Sequence, residues 1–430
     1  MDSIQAGPTF LRARSWLLAT CLIGLAWAGV GPALADGPMP LLSPGHPVQW
    51  WFVFKLNSGK FPGCIPRDER ACPFGGEVQD YSNFSQRYIF ASGEGTTGGG
   101  TAALREGQGC LGDATDDPLG ATFDQIYNGA VHYVVWNDQF YQDPQIASCS
   151  GDSCSAPWGH SKGVLAWDDS GQGIVVQVTT PSWPGSGNSL HPRSKDDNTL
   201  GCVTNNNVKF SQHFFALSLT HEDLVIVLQA LRNSSVVTDP SNKQIVSNGG
   251  PEDIQSLVKS LGKKSNSKTA TFQELSSHIR VISKPSLLHV PPWQLVSSLL
   301  GGVPLRTASW WNSSDIPTTS ARTHIDCWDG GLAAPAAVEI ATSGVWDTKP
   351  MSLKAGPSPN GNHAKIGVST DAGSHLAIFG DLNQEGAISG NGKDCGKAQN
   401  GRGGMFFVIE DADLSASVAG LIRGETAASE

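Results

Sequence analysis

Two short stretches, half a chain apart, read the same way. Gly159-His160-Ser161-Lys162-Gly163 leads into an apolar run ending at Trp167, and His363-Ala364-Lys365 leads into Ile366 to Ser369. Each run is followed by a turn and a second apolar run. In the first case these are Asp168-Asp169-Ser170-Gly171 and Gly173 to Thr180; in the second, Asp371-Ala372-Gly373 and His375 to Phe379. Short β-branched runs split by Asp/Gly turns predict β-hairpins. A motif-plus-hairpin that occurs twice predicts a diverged internal duplication: two fused halves, each building a sheet and each presenting one histidine and one lysine. No other histidine in the chain has a lysine two residues ahead.

The two-residue spacing carries chemistry. Residues i and i+2 of an extended strand point to the same side, so each motif aims an imidazole and an ammonium at one place. An imidazole can act as nucleophile or general acid, and an ammonium can offset charge on a phosphate oxygen. Two facing pairs therefore supply a nucleophile and a proton donor for phosphoryl transfer with no metal or other cofactor. The first motif also fits G-x-S-x-G, but the nucleophile elbow of the α/β-hydrolases needs a strand before it and a helix after it. Here a Cys/Ser/Pro loop precedes the motif and a hairpin follows, which makes Ser161 a spacer.

The rest of the chain supports a mixed α/β reading. Val48 to Leu56 is a buried-strand pattern whose only charge is Lys55, placed either at a solvent-facing strand end or in a site. Ala130 to Trp136 is another strand, and Asn137 at its end is a candidate site-lining residue or a simple turn residue. Glu222 to Leu231, Phe272 to Ile282 and Trp293 to Leu300 have helical spacing. Further strands are expected near Thr307 to Trp311, Ala337 to Ile340 and Met405 to Ile409. The polar stretch Ser234 to Ser267 is the best candidate linker.

Residues 1–35 read as a secretory signal: Arg12 and Arg14, an apolar segment from Trp16 to Val30, and the A-x-A site Ala33-Leu34-Ala35. The expected organisation is a signal at 1–35, a first half over 36–235 and a second over 236–430. After the signal eight cysteines remain, an even number that suits disulfides in an exported protein; spacing leaves their pairing open. No cysteine or histidine cluster has zinc spacing. No later stretch is apolar enough to span a bilayer, so no stable membrane association is expected. Glycosylation sequons start at Asn83, Asn233 and Asn312. The net charge of −10 repels a polyanion at neutral pH. Below about pH 5 histidines charge and carboxylates neutralise, so acid favours encounter with nucleic acid.

Taken in order, Val48–Leu56, Trp136-Asn137-Asp138-Gln139, His160–Leu165, His363-Ala364-Lys365, Gly380-Asp381-Leu382-Asn383 and Arg402-Gly403-Gly404 resemble deoxyribonuclease II over most of the chain after the signal. The resemblance implies a phospholipase D-like pseudo-dimer, each half a β-sheet flanked by helices, with one active site at the junction. It implies an exported acid endonuclease cleaving double-stranded DNA without a metal and with little sequence preference, leaving 3′-phosphate and 5′-hydroxyl ends. His160 and His363 would then be nucleophile and general acid/base, and Lys162 and Lys365 phosphate ligands. Asn383 would follow the second motif as in the superfamily. Asp168 and Asp381 would orient histidines or lysines. Ser182 stands where animal members tend to carry asparagine. The rival reading is a phosphodiesterase of the same superfamily acting on a lipid or another diester.

Overall fold

A computed structural model describes residues 37–63, 86–93, 102–112, 114–147, 149, 151–181, 183–184, 190–191, 209–356, 358–390 and 392–429. The expected signal segment and Ser182 lie outside these residues.

Strand β1 (Trp50–Lys55) is wholly buried, and β2 (Tyr88–Gly93) and the short β3 (Arg105–Glu106) follow. Helix α1 (Pro118–Tyr127) starts where Asp117 accepts from the Leu119 and Gly120 amides and proline takes the first turn. Then come β4 (His132–Asn137), β5 (Lys162–Trp167), β6 (Gly173–Val178) and β7 (Gln212–Leu219). Helix α2 (His221–Asn233) opens on a capping box between Thr220 and Asp223. The short β8 (Val246–Ser247) and α3 (Glu252–Lys259) lead into β9 (Thr271–Glu274) and β10 (Arg280–Lys284). The remaining elements are α4 (Pro292–Leu299), β11 (Leu305–Ala308), β12 (Val338–Ile340), β13 (Ser343–Trp346), β14 (Lys349–Ser352), β15 (Ile366–Ser369), β16 (Leu376–Gly380), α5 (Gly392–Cys395), β17 (Gly404–Glu410) and α6 (Ala412–Leu421).

Two sheets dominate. One has the order β3-β2-β1-β7-β6-β5-β4-β8, the other β12-β11-β15-β16-β17-β10-β9. Around the motifs the orders run in parallel: β1-β7-β6-β5-β4 against β10-β17-β16-β15-β11. Register agrees residue by residue. Lys162 pairs with Val178 and Val178 with Phe214; the Gly380 amide bonds Lys365 O and Gly380 pairs with Phe406. Lys55 faces Gln212 and Lys284 faces Gly404. The sheets meet through aromatic rings, Phe52 stacked on Phe379 at 4.2 Å and Phe215 tilted against Phe407 at 5.2 Å between centroids. Burial of such rings is worth about 1.5–3 kcal/mol each. Helix α1 lies against the first sheet, where Thr122 Oγ1 accepts from Trp51 Nε1. Helix α4 packs on the second through Trp293 and Phe406. Residues 36–430 form one compact unit.

Two expectations fail here. Ser234–Ser267 is no loose linker, because Val236, Val237, Ile245, Val246, Ile254, Val258 and Leu261 are buried in the core and α3 packs on α2. Phe272–Ile282 is a hairpin, β9 and β10, rather than a helix. Phe272, Leu275, Ile279 and Ile282 mimic helical spacing, but Ser276-Ser277-His278 turns the chain, with His278 at φ 61°, and β-branched residues carry the return strand. Disulfides join Cys149 to Cys154 and Cys327 to Cys395, and Cys110 is also disulfide-bonded. Asn312 is exposed, whereas Asn233 is half-buried and donates to Ser283 Oγ and Thr269 O. No helix of the described residues is long and apolar enough to cross a membrane.

Candidate active site

The two motifs meet at the ends of the sheets. Lys162 begins β5, and His363 and Lys365 immediately precede β15. Backbone pairing fixes both approaches: His160 N donates to Gly403 O at 2.8 Å, and His363 N donates to Ser211 O at 2.7 Å. The imidazoles face one another nearly edge to face, with centroids 6.5 Å apart. Each is 8% exposed, so a small group can reach them from solvent.

Each histidine is oriented by the opposite sheet. His363 Nδ1 donates to Thr179 O at 2.8 Å, and His160 Nδ1 to Asp381 O at 3.2 Å. Thr179 and Asp381 occupy matching positions, one residue past the ends of β6 and β16. A proton held on Nδ1 leaves Nε2 with its lone pair, the tautomer a nucleophile or base requires. Burial, then the neighbouring ammonium groups, holds both imidazoles well below the ordinary histidine range. Trp310 packs edge-on against His363 at 5.3 Å between centroids.

The lysines differ in company. Lys162 Nζ donates to Asp138 Oδ1 at 2.7 Å, and Asp138 Oδ2 takes Arg402 at 2.9 Å. Arg402 also reaches the carbonyls of Cys154, Trp158 and Gly159, and so ties the segment leading to His160 to the second sheet. Lys365 Nζ donates to His363 O at 2.8 Å and lies 3.2 and 3.5 Å from the ring nitrogens of its own histidine. The Lys365 amide donates to Nδ1 of the buried His213 at 3.0 Å. Burial lowers the Lys162 ammonium against the pull of Asp138, and lowers that of Lys365 far more.

Asp381 is close to both motifs, but it orients His160 through its backbone carbonyl. Its carboxylate is held by Met405 N at 2.8 Å and Gln177 Nε2 at 3.0 Å, and burial pushes it up to about 7. Asn383 Nδ2 donates to Glu385 at 2.9 Å, while its buried Oδ1 has no protein partner; Asn137 sits opposite Lys162 with Nδ2 equally unpartnered. Lys55 is buried at the end of β1 opposite Gln212, whose Oε1 reaches His363 Nδ1 at 3.2 Å, and burial lowers its ammonium to about 7. Asp168 does not join them. It lies at the far end of β5, where Oδ1 accepts from the Ser170 amide and hydroxyl and the Gln172 amide. It is a turn residue, because a tight Asp-containing hairpin needs that acceptor. Ser161 is followed by β5 and not by the helix a nucleophile elbow requires, and its Oγ accepts from Trp136 Nε1 at 2.8 Å. Reading the sequence missed Asp138, Thr179, Gln212, His213 and Arg402. Asp138 and Arg402 stood inside ordered motifs; the other three had no signal beyond lying at strand ends.

Two imidazoles flanked by buried ammonium groups, at the junction of two like sheets, suit attack on a phosphodiester. Comparison with known families agrees: a family described as Deoxyribonuclease II matches residues 41–424. The chain belongs to the deoxyribonuclease II family. It is thus a hydrolase acting on DNA phosphodiester bonds. No individual curated protein matches. Among the described residues, no three His, Cys, Asp or Glu side chains converge as metal ligands.

Proposed function

We propose that the protein is an exported acid endonuclease that cleaves double-stranded DNA without a metal, through a phosphohistidine intermediate. The observation that carries this reading is the facing pair His160 and His363, each with Nδ1 bonded to a carbonyl of the other sheet. In the first step Nε2 of one histidine attacks phosphorus, and the bond to the 5′-oxygen breaks. The other histidine, protonated on Nε2, gives that oxygen its proton. The 3′-linked phosphoryl group is then on the enzyme. Water attacks it, with the second histidine now taking the proton, and a 3′-phosphate and 5′-hydroxyl result. Lys162 and Lys365 offset charge on the non-bridging oxygens, and the unpartnered Nδ2 of Asn137 adds a donor for the same oxygens, whereas Asn383, its Nδ2 given to Glu385, keeps only an acceptor free.

An acid optimum follows from the electrostatics. The resting imidazoles are held neutral by burial and nearby cations, so the proton donor is charged only at low pH or once the phosphate is bound. The matched strand orders and registers support a pseudo-dimer of two phospholipase D-like halves descended from a duplication; β8 at Val246–Ser247 still belongs to the first sheet, so strand order favours a division after it over the 36–235 and 236–430 bounds expected from sequence. Export is inferred from the N-terminal signal pattern and the disulfides. Ser182 remains a candidate substrate contact on resemblance alone.

The test is plasmid cleavage across pH 4 to 8 in excess EDTA, with wild type, His160→Ala and His363→Ala compared at matched folded concentration. The expected result is cleavage at acid pH despite the chelator and a loss of at least ~10³-fold in either variant. Cleavage abolished by EDTA in the wild type overturns the metal-independent chemistry. Inactivity on DNA with turnover of a phospholipid diester favours the rival substrate.

A further inference from the structure

The segment that reads as a linker ends in a run of lysines. Lys259, Lys263, Lys264 and Lys268 fall within ten residues that hold no Asp or Glu, in a chain of net charge −10. All four are exposed. Among the described residues, Lys263, Lys264 and Lys268 have no carboxylate within ion-pair distance. Such a run usually marks a solvated surface, but here its position is specific.

The run is strapped to the segment that carries His160. Ser265 N donates to Ser235 Oγ at 2.9 Å, and Ser235 O accepts from Gly159 N at 2.9 Å, one residue before the histidine. Ser235, at φ 56°, also shares a hydrogen bond with Ser286 Oγ, which pins the strap on its inner side. Lys264 Nζ lies 5.5 Å from the ring centroid of Trp158, two residues before His160. Trp158 is buried, its Nε1 has no protein partner, and its carbonyl is held by Arg402. Lys268 borders a hollow of about 290 Å³ that holds His289 and the carboxylates Asp326 and Asp329, so the strap is most positive at its 263–264 end.

We propose that Lys263, Lys264 and Lys268 form a track for the sugar–phosphate backbone of the DNA substrate, delivering the duplex to His160. The proposal rests on the nuclease reading and adds where the polyanion lies. Extended chain from Lys264 to Lys268 covers at most about 13 Å, close to four steps of duplex at about 3.4 Å each. Contacts of this kind position the substrate without reading sequence. They also let a protein of net negative charge hold a polyanion, because the local field is opposite in sign to the overall one.

The experiment compares wild type with Lys263→Ala/Lys264→Ala/Lys268→Ala on a 30-base-pair duplex at pH 5, from 50 to 200 mM salt. Circular dichroism and thermal unfolding establish that the variant is folded. The expected result is a KM raised about tenfold or more, a kcat within about twofold, and a slope of log(kcat/KM) against log[salt] shallower by about 2 to 3. A folded variant with unchanged KM and salt slope overturns the track and leaves the nuclease reading intact. A wild type that neither binds nor cleaves DNA overturns both.

Discussion

The two His-Lys pairs stand on matching strands but are solvated by the protein differently. Lys162 is neutralised: Asp138 bonds it, and Arg402 shares that carboxylate and clamps three carbonyls near His160. Among the described residues, Lys365 has only the carbonyl and ring of its own His363 at hydrogen-bond distance. The same sheet position therefore holds a buried ion pair on one side and, on the other, a buried lysine with no bonded carboxylate, whose ammonium burial holds well below the ordinary range against the longer-range pull of Glu385, Asp138 and Asp381. A buried ion pair collapses when one partner is removed, whereas an uncompensated buried charge is a standing cost. The first pair reads as a fixed anchor. On the proposed reading the second is poised for an anion that arrives with the substrate, while burial and nearby cations hold both imidazoles well below the ordinary histidine range.

The sharpest way to break this comparison is to delete each ammonium. Lys162→Met and Lys365→Met should each lower kcat/KM on DNA by about 10² or more, but move stability in opposite directions. Lys162→Met leaves Asp138 buried with Arg402 alone and should cost about 2–3 kcal/mol in denaturant unfolding at pH 7. Lys365→Met should be neutral or stabilising. Equal destabilisation by both would erase the asymmetry.

A second test uses pH. The Lys55 and Lys284 ammonium groups, lowered to about 7 by burial, bind fewer protons when folded than when unfolded between about 7 and the ordinary value of 10.5. Folding stability should thus rise with pH across that window. Asp381 works the other way. Its carboxyl, raised to about 7 from 3.8, holds a proton in the folded state that the unfolded chain has lost, so its contribution falls as pH rises from about 4 to 7. Asp117, raised to about 7, and Asp315, raised to about 6, act in the same sense, so Asp381→Asn should weaken the falling contribution in a thermal-unfolding series from pH 4 to 7 without removing it, and leave the rise above pH 7. Unchanged curvature below pH 7 would contradict the burial of that carboxyl.

The smallest effect separates the two aspartates that resemblance offered together. Asp168→Ala should keep DNA cleavage within about twofold and cost about 1 kcal/mol, the worth of its turn hydrogen bonds. A large loss of activity would mean that the turn reports to the site.

These contrasts also mark what the sequence could reveal. The hairpins and the strands that carry the motifs were legible because alternation and turn chemistry are local. His160, Lys162, His363 and Lys365 were legible because their spacing is itself the chemistry. Asp138, Thr179, Gln212 and Arg402 were not, since each matters only where one sheet meets the other, and no local pattern encodes that register. Asp168 misled because proximity in sequence to His160 is the length of a whole strand in space. The lysine strap misled for the opposite cause: its polar composition suggested a linker, while Val258 and Leu261 beneath it are core.

The most direct test of the account is to trap the intermediate. Wild-type protein mixed at pH 5 with ³²P-labelled duplex DNA, quenched in alkaline denaturant within milliseconds and digested, should yield a labelled peptide carrying phosphorus on His160 or His363, with the label lost when the labelled histidine is replaced by alanine. The labelled residue is then the nucleophile and its partner the proton donor. Turnover with no protein-bound phosphorus at any quench time would contradict covalent catalysis by the paired histidines.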